Sequence, residues 1–226
     1  MTGNRSWAVV QFPGSNCDHD LLKVFKSLPG IAAQYHWHED PIEVGQYEVI
    51  GIPGGFSFGD YLRAGAIAKL SNALKGLEKA VEAGAHVLGI CNGFQILVES
   101  RLLPGYLHVN QSLRFISKNA ALEVKAEAYP WIQKEDIGKV WHFPIAHRFG
   151  NYQKSKIDAL DASSPLYYFG ENPNGSAEGI AAVYRQLGKG SLFALMPHPE
   201  RAFFGETRNA DGQKFFENAV KAVARA

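Results

Sequence analysis

Short apolar runs alternate with amphipathic stretches through the first half of the chain. Trp7 to Phe12 is apolar and closed by Pro13-Gly14, which predicts a buried first strand. Leu21, Leu22, Phe25 and Leu28 then fall at helical spacing and predict a helix over Asp18 to Leu28. Ile31 to Trp37 predicts a second strand, and Tyr47 to Ile52 a third that ends in Pro53-Gly54-Gly55. The composition of Tyr61 to Ala83 predicts one long helix, Ala85 to Ile90 a fourth strand, and Asn92 to Glu99 a further helix carrying Phe94, Ile96, Leu97 and Val98. Strands and helices in alternation require a parallel sheet wrapped by helices, so this half reads as doubly wound α/β.

From Leu107 to His147 the pattern changes to period two. Leu113-Arg114-Phe115-Ile116 and Val140-Trp141-His142-Phe143 predict mainly antiparallel strands. Gly179 to Tyr184 and Ser191 to Met196 predict another extended pair joined by a turn around Gly188-Lys189-Gly190, and Asp211 to Arg225 predicts a closing amphipathic helix. No repeat or low-complexity linker interrupts the chain, so residues 1–226 are expected to form a single domain.

Charge narrows the partners. There are 23 basic and 22 acidic residues with no block of one sign, which is no footprint for nucleic acid or an anionic membrane. No apolar run reaches membrane-span length and the start lacks a secretory pattern, so a cytoplasmic protein is expected. Only Cys17 and Cys91 occur, which fits a reducing compartment and not a disulfide framework.

Chemistry concentrates at Gly89-Ile90-Cys91-Asn92-Gly93, a cysteine flanked by glycines at i−2 and i+2 where a predicted strand meets a predicted helix. In such an elbow the nucleophile sits in a tight turn that lifts it clear of the sheet, and small flanking residues avoid the neighbouring backbone. The N–H groups at the following helix start favour negative charge on sulfur and offer a donor to an oxyanion. A buried structural cysteine is the plainer alternative. A thiol nucleophile also needs a base and a group to orient it. His198-Pro199-Glu200 follows an apolar strand, and in an extended segment residues i and i+2 share a face, so imidazole and carboxylate can be neighbours. Glu200 would fix the tautomer of His198 and stabilise its imidazolium. Pro53 to Asp60 follows the third strand, where loops of an open parallel sheet line the ligand crevice. The N–H groups of Gly55 and Asn92 are assigned as the oxyanion donors. His36-Trp37-His38-Glu39-Asp40 offers metal-ligand types, but nothing nearby completes a set and thiol chemistry needs none, so no metal is assigned. Cys17 is read as structural.

Together, the glycine loop, elbow and His-Pro-Glu make the chain resemble the class I, triad-type glutamine amidotransferases. Within them it resembles the glutaminase subunits of phosphoribosylformylglycinamidine synthase. The matching stretches are Phe12 to Asp18 (FPGSNCD), Pro53 to Ala68 (PGGFSFGDYLRAGAIA), Leu88 to Leu97 (LGICNGFQIL), Pro144 to His147 (PIAH), Asn172 to Ser176 (NPNGS) and Met196 to Arg201 (MPHPER). The resemblance implies a three-layer α/β sandwich with a mostly parallel central sheet in flavodoxin-like order and a smaller antiparallel sheet. It implies a γ-glutamyl thioester on Cys91, with Gln95 and His147 contacting glutamine. It also implies a large synthetase subunit that uses ATP and magnesium to convert formylglycinamide ribonucleotide to the amidine, and a small bridging subunit. One departure stands out: Gly-Glu-Gly is expected after His147, and the chain has Arg148-Phe149-Gly150.

Two other readings follow from the residues. The triad alone does not name the leaving group, so a free-standing cysteine hydrolase acting on γ-glutamyl compounds is an alternative. The altered Arg148-Phe149 positions raise a third, a regulatory subunit with a vestigial site. In this chain no G-x-x-x-x-G-K-[ST] phosphate loop is present to activate an acceptor with ATP, so ammonia made here must be used elsewhere.

Overall fold

A computed structural model describes residues 5–155, 160–204 and 211–224. Along the chain run β1 (Arg5–Gln11), α1 (Asp18–Ser27), β2 (Ile31–Trp37), β3 (Val49–Ile52), α2 (Asn72–Ala83), β4 (His86–Ile90) and α3 (Asn92–Glu99). Then come β5 (Tyr106–His108), β6 (Ile116–Val124), β7 (Val140–His147), β8 (Asn151–Gln153), β9 (Leu166–Tyr168), β10 (Ala182–Leu187), β11 (Gly190–Leu195) and α4 (Asp211–Val223). The expected helix end at Arg225 lies outside the described residues. Two compact units divide the chain: residues 1–102 with 186–194, and residues 103–185 with 195–226.

In the first unit, β1 pairs in parallel with β2 and β3, and β3 in parallel with β4. The six-stranded sheet has the order β10-β11-β4-β3-β1-β2, whose 2-1-3-4 core is the flavodoxin-like order expected. The boundary between the units runs through the β10–β11 hairpin. Central strands β3, β4 and β11 are buried at every position, as a sheet covered on both faces requires, whereas edge strand β2 is largely exposed. Helix α1 packs Leu21 and Phe25 onto Gly51 of β3, where a Cβ would lie 2.7 Å from Leu21 Cδ2, and the Phe25 ring meets Trp7 edge-on at 4.9 Å.

The long helix expected over Tyr61 to Ala83 starts only at Asn72. Before it the chain bends through 3₁₀ turns at Ser57–Asp60 and Ala68–Leu70, with positive φ at Asp60 (53°) and Leu62 (70°). The reason is a close approach: at Gly65 a Cβ would fall 2.8 Å from Ile96 N, so the segment is pressed against α3 and has no room to wind as a helix.

The second unit is built of antiparallel pairs, β5 with β8 and the three-stranded β7-β6-β9. Leu113 to Phe115, expected in a strand, is a turn, and pairing starts at Ile116 against His147. Helix α4 packs Phe215 and Phe216 on an aromatic cluster, with Trp131 stacked on Phe215 at 5.2 Å and Trp141 edge-on to it at 6.2 Å. Buried Asp136 holds the helix through Asn218 Nδ2, which donates at 2.7 Å. Among the described residues no helix is long and apolar enough to cross a membrane.

Candidate active site

Cys91 sits in the first unit, at the turn between β4 and α3, with φ 51° and ψ −101°. A β-carbon-bearing residue rarely adopts that conformation, and it persists only when the surroundings over-determine it. The two flanking glycines supply that constraint. A Cβ on Gly93 would lie 2.0 Å from Ile52 O, and one on Gly89 2.7 Å from Leu97 Cδ1. So β3, β4 and α3 approach more closely than any other residue allows, which is why the elbow reads clearly in the sequence.

The glycine loop is locked to the turn after β1 in the same manner. Gly55 has φ 131°, and a Cβ there would sit 2.5 Å from Asn16 N. Phe56 N donates to Gly14 O at 3.0 Å and Cys17 N to Gly54 O at 3.3 Å. The Asn92 side chain joins loop to elbow. Its Oδ1 accepts from Ser57 N at 3.1 Å, and its Nδ2 donates to Gln95 Oε1 at 2.8 Å and to Asp60 Oδ1 at 3.4 Å. Burial raises the Asp60 carboxyl above its ordinary value. Sequence reasoning named Gly55, Asn92 and Gln95 but not Asp60 or the part played by the Asn92 amide. Both lie in stretches it had quoted, yet no periodicity or spacing marks a side chain that bridges two loops. The Arg63 guanidinium, which donates to both Glu99 carboxylate oxygens, ties the bent segment to α3 a second time.

His198 and Glu200 lie in the second unit, both almost fully buried. The His198 N–H donates to Pro144 O at 2.8 Å, and its Nδ1 lies 2.6 Å from Glu200 Oε1. With Nδ1–H donating to that oxygen the ring is in the tautomer a general base needs. The pair is real, but the local geometry is not the extended segment expected. Pro199 opens a 3₁₀ turn over Pro199–Ala202, its fixed φ suiting a first turn, and the two side chains meet across that turn.

His147 ends β7 and is 3% exposed. Its Nδ1 lies 3.1 Å from Asn110 Oδ1, which also accepts from Gly150 N at 3.1 Å, while Asn110 Nδ2 donates to Arg114 O and His147 O, each at 2.9 Å. The Asn110 amide is thereby oriented, its oxygen toward the ring, and His147 must carry its proton on Nδ1. Burial, together with the positive charge His198 bears whenever it is protonated, pushes His147 down to about 4, so His147 is neutral near pH 7.

Gly150 is the one glycine retained from the expected Gly-Glu-Gly, and it is the one the packing demands, since a Cβ there would lie 2.3 Å from His147 Nδ1. Arg148 and Phe149 point outward, the guanidinium 5.9 Å from the ring centroid. The loop backbone is held independently of them. Arg148 O accepts from Asn110 N at 2.8 Å, and Gly150 O from Asn174 Nδ2 at 2.7 Å. Asn174 belongs to the NPNGS stretch, whose Ser176 Oγ donates to Asn174 Oδ1 at 2.7 Å and accepts from Tyr152 N at 3.1 Å. Asn110, Asn174 and Ser176 are the residues sequence reasoning passed over, although NPNGS itself had been singled out.

The remaining candidates are accounted for locally. His36 Nδ1 is 3.2 Å from Tyr47 Oη and its Nε2 3.0 Å from Asp40 O, and His38 stacks on Phe12 at 5.6 Å. Cys17 is buried at the start of α1, and neither cysteine forms a disulfide.

The model of the CobB/CobQ-like glutamine amidotransferase domain matches residues 5–223. A chain of PurLQS from Thermotoga maritima is 40% identical, with 96% of this chain and 98% of that chain covered and a TM-score of 0.86. The glutaminase domain of Trypanosoma brucei CTPS, solved with bound acivicin, matches at 12% identity over 96% of this chain and 94% of that chain, TM-score 0.59. A cytoplasmic protein of Salmonella typhimurium matches at 13% over 96% and 98%, TM-score 0.56. The last two share the fold alone.

Proposed function

Because the chain belongs to the CobB/CobQ-like glutamine amidotransferase family, we propose that it releases ammonia from glutamine on Cys91 and passes it to a synthetase subunit that makes formylglycinamidine ribonucleotide. The observation that carries this is the strained elbow, Cys91 at φ 51° and ψ −101° between two glycines that admit no Cβ. Such a turn has no packing advantage over a relaxed one; its use is to present sulfur.

His198 Nε2 takes the Sγ proton, and the thiolate attacks the carboxamide carbon of glutamine. The N–H groups of Gly55 and Asn92 stabilise the oxyanion, an effect of the size usually worth several kcal/mol in acyl transfer. The C–N bond then breaks, the nitrogen takes the proton back from His198 and leaves as ammonia, and a γ-glutamyl thioester remains on Cys91. Water, deprotonated by the same imidazole, hydrolyses it to glutamate and restores the thiol. Glu200 holds Nδ1–H and stabilises the imidazolium in both halves of the cycle. Gln95 and His147 contact the bound glutamine. ATP and magnesium act on the large synthetase subunit, a small third subunit bridges the two, and the complex works in the cytoplasm.

The test is glutamine-dependent turnover of formylglycinamide ribonucleotide by this chain mixed with the synthetase subunit and ATP. Amidine formation with glutamine that disappears in Cys91→Ala, but survives when ammonium salt replaces glutamine, supports the reading. Turnover of γ-glutamyl peptides in preference to glutamine would instead mark a free-standing hydrolase.

A further inference from the structure

Asp60 lies in the first unit, at the end of the 3₁₀ turn Ser57–Asp60 that follows the glycine loop. Backbone bonds fix this turn. Phe58 N donates to Pro13 O at 2.7 Å and Gly59 N to Phe56 O at 2.8 Å, and a Cβ on Gly14 would fall 2.4 Å from Phe56 O. Phe58, Asp60 and Leu62 carry positive φ, at 53°, 53° and 70°. Side-chain-bearing residues in that region are costly, and a run of them persists where the surroundings over-determine it, as they do beside bound ligands.

The turn holds in place a carboxylate that the protein leaves half satisfied. Asp60 Oδ1 accepts from Asn92 Nδ2 at 3.4 Å, while Oδ2 accepts no hydrogen bond among the described residues and reaches solvent. The cations of the segment are committed elsewhere: Arg63 donates to both oxygens of Glu99, and Lys69 Nζ lies 3.8 Å from Glu99 Oε2. Burial raises the Asp60 carboxyl and no neighbouring charge offsets it. A carboxylate so placed gains from a cation that reaches its open oxygen.

The surroundings of Asp60 select that cation. Asn92 follows Cys91 directly and carries the backbone N–H assigned to the oxyanion, and its Nδ2 donates to Gln95 Oε1 at 2.8 Å as well as to Asp60. Asp60 therefore borders the elbow, whereas Tyr61 and Leu62 after it are exposed. Glutamine has one cationic group, the α-ammonium, at the other end of the molecule from the carboxamide that meets Cys91. Resting on the ammonia-releasing reading, we propose that Asp60 determines specificity: its carboxylate receives the α-ammonium of glutamine on Oδ2 while Oδ1 stays on the Asn92 amide. Carboxamides whose α-nitrogen is absent or acylated, such as a glutamine within a peptide chain, are then refused.

The experiment compares glutamine with 4-carbamoylbutanoate, which is glutamine without its α-ammonium, on the native chain and on Asp60→Asn, each mixed with the synthetase subunit. Asparagine keeps an acceptor for Asn92 Nδ2, tolerates positive φ and removes only the charge. Ammonia release gives kcat and KM for both compounds. Calorimetric titration of the Cys91→Ala chain, with and without Asp60→Asn, reads binding without chemistry, and thermal melts confirm folding. Expected is a preference of the native chain for glutamine, and in Asp60→Asn a loss of about 10- to 100-fold in kcat/KM for glutamine, carried by KM, with the analogue unaffected. A native chain that does not prefer glutamine overturns the proposal whatever the variant does. An equal loss on both compounds also overturns it, since Asp60 would then act only through Asn92, and so does an unchanged preference in the variant. Selective binding of glutamine that needs Asp60, without ammonia release by the native chain, supports the proposal and sinks the ammonia-releasing reading alone.

Discussion

The two units hold their candidate side chains by opposite means. The first holds Cys91 through backbone contact: Gly55, Gly89 and Gly93 let strands, helix and loop approach to distances that leave no space for a methyl group. The second holds His198 and His147 through side-chain hydrogen bonds: Glu200, Asn110, Asn174 and Ser176 are all buried polar groups with oriented partners. Shape made by glycine fails when atoms are added, whereas shape made by amides and carboxylates fails when atoms are removed. The contrast suits the proposed chemistry, in which a nucleophile must be fixed in position and a base in protonation state.

The largest effect is expected from Glu200→Gln. It keeps the size of the side chain but can present an amide N–H to His198 Nδ1 and favour the wrong tautomer, so kcat for glutamine hydrolysis should fall roughly 10²- to 10⁴-fold with little change in melting temperature. A near-normal kcat would show that the second unit does not set the protonation of the base. Next comes Gly93→Ala, where the new methyl would meet Ile52 O at 2.0 Å. Overpacking of that severity should cost about 3 kcal/mol or more in denaturant unfolding, and a native midpoint would break the claim that backbone approach shapes the elbow.

Asn110→Ala removes atoms instead. It strands the N–H of Gly150 and the proton of His147, and should cost about 2–3 kcal/mol. Hydrogen exchange should quicken along β7 and leave β4 and α3 protected; equal acceleration in both would blur the distinction between the units.

The smallest effect is shared. His86 in the first unit and His147 in the second are both pushed by burial from 6.5 to about 4. The unfolded chain takes up these protons as pH falls through 6.5, the folded chain only near 4. Stability is therefore complete above pH 6.5 and declines toward pH 4, by about 2 kcal/mol per histidine near pH 5. His86→Gln and His147→Gln should each flatten the stability profile by its own share, and an unchanged slope would refute that origin.

These differences also decide what was legible in the sequence. The Cys91 elbow is legible because glycines at fixed spacing leave a sequence mark, and β3, β4 and the centre of β1 because burial leaves unbroken apolar runs. Tyr61 to Ser71 has the composition of a helix, but its shape is imposed by α3 through Gly65. His198 and Glu200 do lie side by side, but across the turn that Pro199 opens and not along an extended segment. Asn110 leaves no mark in the sequence, and for Asn174 the NPNGS stretch marks the place but not the role: a buried amide in a loop has neither periodicity nor spacing, and its partners lie far along the chain. Arg148 and Phe149 looked like a defect in the motif, yet the hydrogen bonds of that loop come from its backbone and bypass both side chains.

Intact-protein and peptide mass spectrometry after incubation with an electrophilic glutamine analogue tests the central claim most directly. A single adduct should appear on the Cys91 peptide of the native chain, be absent from Cys91→Ala, and be suppressed by excess glutamine. Labelling of Cys17 in place of Cys91, or of neither with the synthetase subunit present, would contradict the account.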